Sequence, residues 1–197
     1  MNASNAAALR RAVRFVALAN LSYFGIEFAV ATAIHSVSLF ADSVDFLEDA
    51  SVNFLILFAL TWHARARARV GMLLAAILMV PALATLWMAW HKFAVPYPPA
   101  VVPLSLTALG ALAVNLSCAL ILARFRGHGG SLSRAAFLSA RNDAVANIAI
   151  IAAAGVTALF PSAWPDLIVG LGIAGLNADA ARTVYAAARS EHAASRA

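Results

Sequence analysis

Charge is what this sequence has least of. Only 12% of its 197 residues are Asp, Glu, Lys or Arg, about half the ~25% usual in soluble domains. So small a stock cannot cover a water-exposed surface when 63% of the residues are apolar and mean hydropathy is +0.83. An ordinary water-soluble enzyme and a nucleic-acid module are both excluded, in spite of a formal net charge of +5. Cysteine is nearly as scarce. The single Cys118 lies in the apolar run Ala111–Ala123, which rules out an intramolecular disulfide or a CxxC metal site and leaves a small apolar filler. The period-2 alternation of membrane strands is missing, so a barrel is excluded. Enzyme chemistry also finds no footing: no nucleophile stands beside a general base, and no HExxH motif occurs. What is present are long hydrophobic runs, and the chain is expected to live in a lipid bilayer.

A helix crossing the ~30 Å hydrocarbon layer needs about 20 largely apolar residues. Six segments have that length: Ala12–Ile34, Val37–Trp62, Val70–Trp90, Val102–Ala123, Ala135–Phe160 and Trp164–Ala187. No small-residue cleavage site ends the first, which is expected to be retained rather than removed as a signal peptide. The separators are turn-forming or charged: His35-Ser36, the arginine-rich stretch His63–Arg69, Pro96–Pro99, Arg124–Ser133 and Pro161–Pro165. Basic residues collect on cytoplasmic flanks. Six spans place twelve arginines on one side (Arg10, Arg11, Arg14, Arg65, Arg67, Arg69, Arg124, Arg126, Arg134, Arg182, Arg189 and Arg196) and only Lys92 on the other. Five or seven spans would scatter them. The expected fold is therefore an all-α, six-transmembrane-helix bundle with both termini cytoplasmic. It forms a single domain over residues 1–197 with no soluble C-terminal domain, and the high pI of about 10.3 is mostly a topology signal.

Among the nine acidic residues, six that sit within apolar segments stand out: Glu27, Asp42, Asp45, Glu48, Asp49 and Asp143. An acid at a helix centre costs about 2.5 to 3.5 kcal/mol on insertion scales, and the default reading of one is an ion or proton pathway. Four of them fall in the second span. At 100° per residue, Asp45 and Asp49 lie ~40° apart, one turn from each other, with Asp42 and Glu48 each ~60° to either side. Two carboxylates about 6 Å apart can share a divalent cation or a proton. Asp143, in the fifth span, falls within about 6 Å of the depth of Asp49. Helices packed side by side would thus present Asp45, Asp49 and Asp143 to one ion, with Ser139 one turn away.

Other polar residues carry plainer readings. Asn20, Asn53, Asn115, Asn147 and Thr107 suit interhelical hydrogen bonds, and Asn147 is also a candidate for the ion or proton pathway with Asp42, Glu48 and Glu27. Asp42 suits an exit funnel facing water, and Glu27 either lines a cavity or pairs with another helix. Arg141 lies ~200° around its helix from Asp143. It either snorkels to the cytoplasmic interface or pairs with Glu48 to gate access. His128, within Arg126-Gly-His-Gly-Gly130, is a candidate for receiving metal from the cytoplasm. Gly155, Gly170, Gly172 and Gly175 allow close helix approach.

Several segments together resemble the cation diffusion facilitator family of divalent-metal/proton antiporters. His35-Ser-Val-Ser-Leu-Phe-Ala-Asp-Ser-Val-Asp-Phe-Leu-Glu-Asp49 is similar to the second helix of that family, and Ser131 to Asp143 to its fifth. Trp164-Pro-Asp-Leu-Ile-Val-Gly-Leu resembles the start of the sixth, Val114-Asn115-Leu116 the fourth, and Asn20 with Glu27 the first. The resemblance implies an intramembrane tetrahedral metal site at Asp45, Asp49, Ser139 and Asp143. Ser139 departs from the usual His or Asp, which removes a strong ligand. Three carboxylates and a hydroxyl form an all-oxygen set that suits Mn²⁺ or Fe²⁺, though carboxylates also bind Zn²⁺ and Co²⁺. The expected activity is export of a cytoplasmic divalent metal ion of the Zn/Mn/Fe/Co class in exchange for protons, in a bacterial inner membrane. No cofactor beyond these transported ions is expected. The partners are the metal ion and the lipid bilayer, with a homodimer implied and nucleic acid excluded. Ser139, Arg141 and the missing C-terminal domain motivate the rival reading, a transport-incompetent membrane subunit with a scaffolding or regulatory role.

Overall fold

The computed structural model describes residues 3–59, 83–124 and 130–194. They form α1 (Ala3–Ile34), α2 (Val37–Ala59), α3 (83–94), α4 (Val101–Ala123), α5 (Gly130–Leu159) and α6 (Trp164–Ala194), with no strand among them. The end of the predicted second span and the first part of the third, at 60–82, lie outside the described residues. So do Arg65, Arg67 and Arg69. Helix α1 begins at Ala3 rather than Ala12, α5 at Gly130 rather than Ala135, and α6 continues to Ala194 rather than Ala187. Hydropathy marks where lipid stops, not where helix stops. Alanine-rich extensions such as Asn5-Ala-Ala-Ala-Leu-Arg10 and Ala186–Ala188 keep high helix propensity in water.

Proline and one unusual turn set the breaks. Pro96 to Pro99 keep the backbone out of regular structure before α4, whose N-cap Ala100 is extended, and Pro103 and Pro165 fall in first helical turns, where a missing N–H costs nothing. Between α1 and α2 the chain reverses within two residues. His35 adopts a left-handed φ of 51°. Its N–H donates to Thr32 O at 3.4 Å and that of Ser36 to Ala31 O at 3.0 Å. This paired pattern is a Schellman cap, in which glycine is the usual occupant of the left-handed position.

The turn fixes an antiparallel register. Glu27 meets Asp42, the rings of Tyr23 and Phe46 stack at 5.1 Å between centroids, and Asn20 donates to Asp49. Each step is about two turns or less along both helices, so one face of α1 reads one face of α2 from end to end. Helix α2 also packs on α5 and α6, while α4 joins α1 to α5. Among its described side chains, α2 has none that is exposed. Over its described side chains, the helix richest in acids is therefore shielded by its neighbours, which lowers the cost of carrying them.

The outer surfaces tell the opposite story. Large apolar side chains such as Leu18, Ile26, Leu106, Leu120, Ile148, Leu159, Ile168 and Leu176 face outward. Exposure of this kind all round a bundle matches a lipid environment rather than water. Three described segments, Ala7–Ile34, Val101–Ala123 and Ala140–Leu159, are long and apolar enough to cross a membrane by composition alone. At 1.5 Å per residue α2 and α6 also have spanning length, with acids lowering the apparent apolarity of α2. Exposed Arg10, Arg11, Arg14, Arg124 and Arg182 gather at one end of the bundle. The opposite end, called outer here, carries exposed Trp90, Phe93, Tyr97 and Trp164, with Phe93 edge-on to Trp164 at 5.8 Å. Such aromatics are typical of a membrane interface.

One buried carboxylate ties the outer end together. Asp166 accepts from the Val37 and Ser38 amides at 2.9 and 3.2 Å and from the Ser36 and Ser38 hydroxyls, each at 2.6 Å. Lys92, on α3, pairs with Asp166 at 2.6 Å and donates to His35 O at 2.8 Å. Both charges are buried, and the carboxylate sits where the amide dipoles of α2 converge. Gly170 makes the approach possible, since a Cβ there would lie 2.7 Å from the backbone of Val37 and Ser38. Lys92, which the charge count places on the outer side, is thus committed there to a buried ion pair.

Asp166→Ala is expected to destabilise the bundle by about 3 to 5 kcal/mol, because it strands a buried ammonium and two amides. Lys92→Met should cost clearly less, since Asp166 keeps four donors. Thermal unfolding in detergent checks the ordering, and equal losses would contradict this account of the outer end.

Candidate metal centre

Below the sealed outer end lies a cavity of about 240 Å³ lined by Asp45, Glu48, Asp49, Asn142, Asp143, Ala146, Ile173, Leu176, Asn177 and Asp179. It takes walls from α2, α5 and α6. Asp45 and Asp49 are one turn apart, as their spacing predicts, and Glu48 joins them on the cavity wall. The Asp143 carboxyl lies against that of Asp49 and within electrostatic range of Glu48 and Asp42. Asp45, Glu48, Asp49 and Asp143 are half-buried rather than sealed, which is the exposure of groups facing a cleft open to water. Several water volumes fit such a cavity, so a divalent ion can enter with part of its hydration shell. Among the described residues no three Asp, Glu, His or Cys side chains are already drawn tightly around one point.

Amides hold the acids in place. Asn20 on α1 donates to Asp49 Oδ2 at 3.3 Å. Its own carbonyl oxygen lies 3.7 Å from the Cys118 thiol on α4. Asn53 donates to Asp49 O at 2.7 Å, and Asn147 donates to Asp143 O at 2.8 Å. Helices α2 and α5 therefore repeat one device, an Asp followed four residues later by an Asn that bonds back to the Asp carbonyl. Asn177 donates to Ala41 O at 3.3 Å, joining α6 to α2.

The remaining candidates divide plainly. Ser139 lies on α5 one turn from Asp143, and its side chain is outside the described part, as is all of His128. Arg141 is exposed, and its guanidinium donates to neighbouring Asn142 at 3.3 Å. Among the described residues it makes no ion pair with Glu48. Asp42 is fully buried and does not face water, so the exit-funnel reading gives way: α1 and α5 close over it. Glu27, also fully buried, pairs with Asp42 across α1 and α2 and does not line the cavity. Asn177 and Asp179 are cavity residues that the sequence reading passed over. Asp179 carried the signal used for the other acids, a carboxylate within an apolar span.

A lipid-facing helical bundle that keeps carboxylates around a wet cleft between its helices has the makings of a membrane carrier of cations. The sequence model of the cation efflux transmembrane domain matches residues 13–190. The chain belongs to that family, the cation diffusion facilitators, and is an integral membrane protein that transports divalent cations. A search of curated proteins gave no match.

Asn20→Ala leaves every cavity carboxylate in place but removes the donor that orients Asp49. Metal affinity is expected to fall about 10-fold, in the range typical of groups that orient ligands. Calorimetric titration of the detergent-solubilised protein with Mn²⁺ and Zn²⁺ checks this; unchanged affinity for both would remove Asn20 from the site.

Proposed function

We propose that this protein exports a divalent metal ion from the cytoplasm by exchange for protons, with Asp45, Asp49 and Asp143 as metal ligands and Ser139 as a weaker oxygen donor. The supporting observation is the single cavity that brings carboxylates of α2 and α5 together beneath an outer end closed by Asp166 and Lys92. The end rich in arginine faces the cytoplasm, consistent with the bias of basic residues to that side. An inner membrane of a bacterium is the location proposed.

The cycle follows from charge balance. Clustered carboxylates in a space shielded from bulk water repel one another, and either a divalent cation or protons relieve that repulsion. The two occupants therefore compete. Metal arriving from the cytoplasm displaces protons from the cluster. Rearrangement of the bundle then opens the outer end, where protons displace the metal. Return of the protonated carrier completes the exchange, and the inward proton gradient drives export. Glu48 and Asp179, which line the same cavity outside the proposed ligand set, raise the local concentration of cations there. The oxygen-only ligand set favours harder ions such as Mn²⁺ and Fe²⁺ within the Zn/Mn/Fe/Co class.

In proteoliposomes with an imposed pH gradient, at least one of Mn²⁺, Fe²⁺, Zn²⁺ and Co²⁺ is expected to move against its own gradient. Asp49→Asn should bring that flux down to the leak of empty vesicles. Leak-level flux of all four ions in the unmodified protein would overturn the exchange reading.

A further inference from the structure

Outward of the metal cavity, one turn up α2 from Asp45, Glu27 and Asp42 face each other across α1 and α2. Both residues are 0% exposed. Their carboxyl groups stand within hydrogen-bonding reach of one another, yet neither Glu27 oxygen nor Asp42 Oδ2 has a partner. The remaining oxygen, Asp42 Oδ1, receives the Asn147 amide at 3.5 Å, the outer limit of such a bond. Acceptor therefore meets acceptor, and two full negative charges sealed between helices without a cation would be far too costly to persist.

Among the described residues, the neighbours supply no remedy from protein groups. Tyr23, one turn along α1, gives its hydroxyl to Thr107 O at 2.7 Å and is not aimed at the pair. From α2 the nearest titratable group is Asp45, and from α5 it is Asp143; both add negative charge. Helix α4 contributes Thr107, and α6 contributes Asn177, whose amide is committed to Ala41 O. The basic Lys92 is held at the outer end by Asp166. A metal ion is a poor occupant: the Asn147 nitrogen, oriented by its 2.8 Å bond to Asp143 O, turns a donor rather than an acceptor toward Asp42.

We propose that Glu27 and Asp42 form a proton-binding site, separate from the metal cavity, in which one proton bridges the two carboxyl groups. Binding forms an O–H bond on one carboxylate and a hydrogen bond to the other, and lowers the charge of the pair from two negatives to one. No electron moves. The proton comes from water and returns to water when the bundle opens toward one side. Asn147 contacts both Asp42 and the Asp143 backbone, so occupation of the pair is linked mechanically to the cavity wall. The coupling role of this proton rests on the exchange reading above; the existence of the site does not.

The test is therefore made first without transport. Infrared difference spectra of the detergent-solubilised protein, recorded between acid and alkaline pH, are expected to contain a protonated-carboxyl C=O band that Glu27→Gln removes. Asp42→Asn serves as the second variant and is expected to shift or remove the same band. Calorimetric metal titration in buffers of different protonation enthalpy gives the coupled count: Glu27→Gln should release about one proton fewer per metal ion bound. Metal binding itself should persist, since Glu27 does not line the cavity. A band of undiminished intensity in both variants overturns the site, whatever the flux measurements give. A band that responds to Na⁺ or K⁺ at fixed pH also overturns it, because the occupant would then be a monovalent cation. If the band behaves as expected but no metal moves in vesicles, the exchange reading falls and the proton site stands.

Discussion

Asp166 occupies the position on which the placement of every other acid depends. Four protein hydrogen bonds and one ion pair converge on its carboxylate, and they come from α2 and α3 onto the head of α6. A helix carrying Asp42, Asp45, Glu48 and Asp49 has weak apolar reasons to stay at any given depth in a bilayer. Anchoring its first turn by charge fixes that depth. Burial makes the anchor strong in one specific sense: the pair adds little over an apolar substitute but is severe to break on one side. It therefore works as a positional constraint more than as a source of stability.

From that anchor the interior is organised in two levels along α2. The upper level, Glu27 with Asp42, is dry, enclosed and nearly without donors. The lower level, Asp45, Glu48, Asp49 and Asp143, borders a cavity with room for water. The same residue types thus experience different surroundings within about two helical turns. The wet level has room for a hydrated cation, whereas the dry level has none and is the one proposed above to bind a bridging proton. Asn147 stands between the levels and touches both, as Asn20 and Asn53 buttress Asp49 from the other side. Helices α1, α5 and α6 share the work of keeping lipid away from α2.

Much of this arrangement was legible in the sequence, for reasons that can be named. Apolar runs of spanning length gave the helices, and the helical period placed Asp45 and Asp49 on one face. Acids surviving in apolar runs pointed to the cavity, and Asp143 was recognisable because its depth matched that of Asp49. Long-range pairings were not legible. Nothing local in Lys92 or Asp166 announces that residues 74 positions apart meet; the charge count placed Lys92 on a side and no further. The partner of Glu27 required the stagger between α1 and α2, which follows from the turn and not from periodicity. Asp42 looked water-facing because its helix face was known while its covering helices were not. Helix ends were displaced wherever alanine continued the helix beyond the hydrophobic boundary.

The two-residue reversal at His35 has a consequence for how this chain tolerates length variation. It sets three facing pairs at once: Glu27 with Asp42, Tyr23 with Phe46, and Asn20 with Asp49. A single inserted residue there would rotate α2 by about 100° relative to α1 and disengage all three together. The proline-rich stretch before α4 sets no such facing pairs between helices, since its irregular backbone can absorb an added residue without turning either neighbour. Indels among descendants of this chain should therefore accumulate around Tyr97 and be purged at His35, where the connector behaves as an indexing pin.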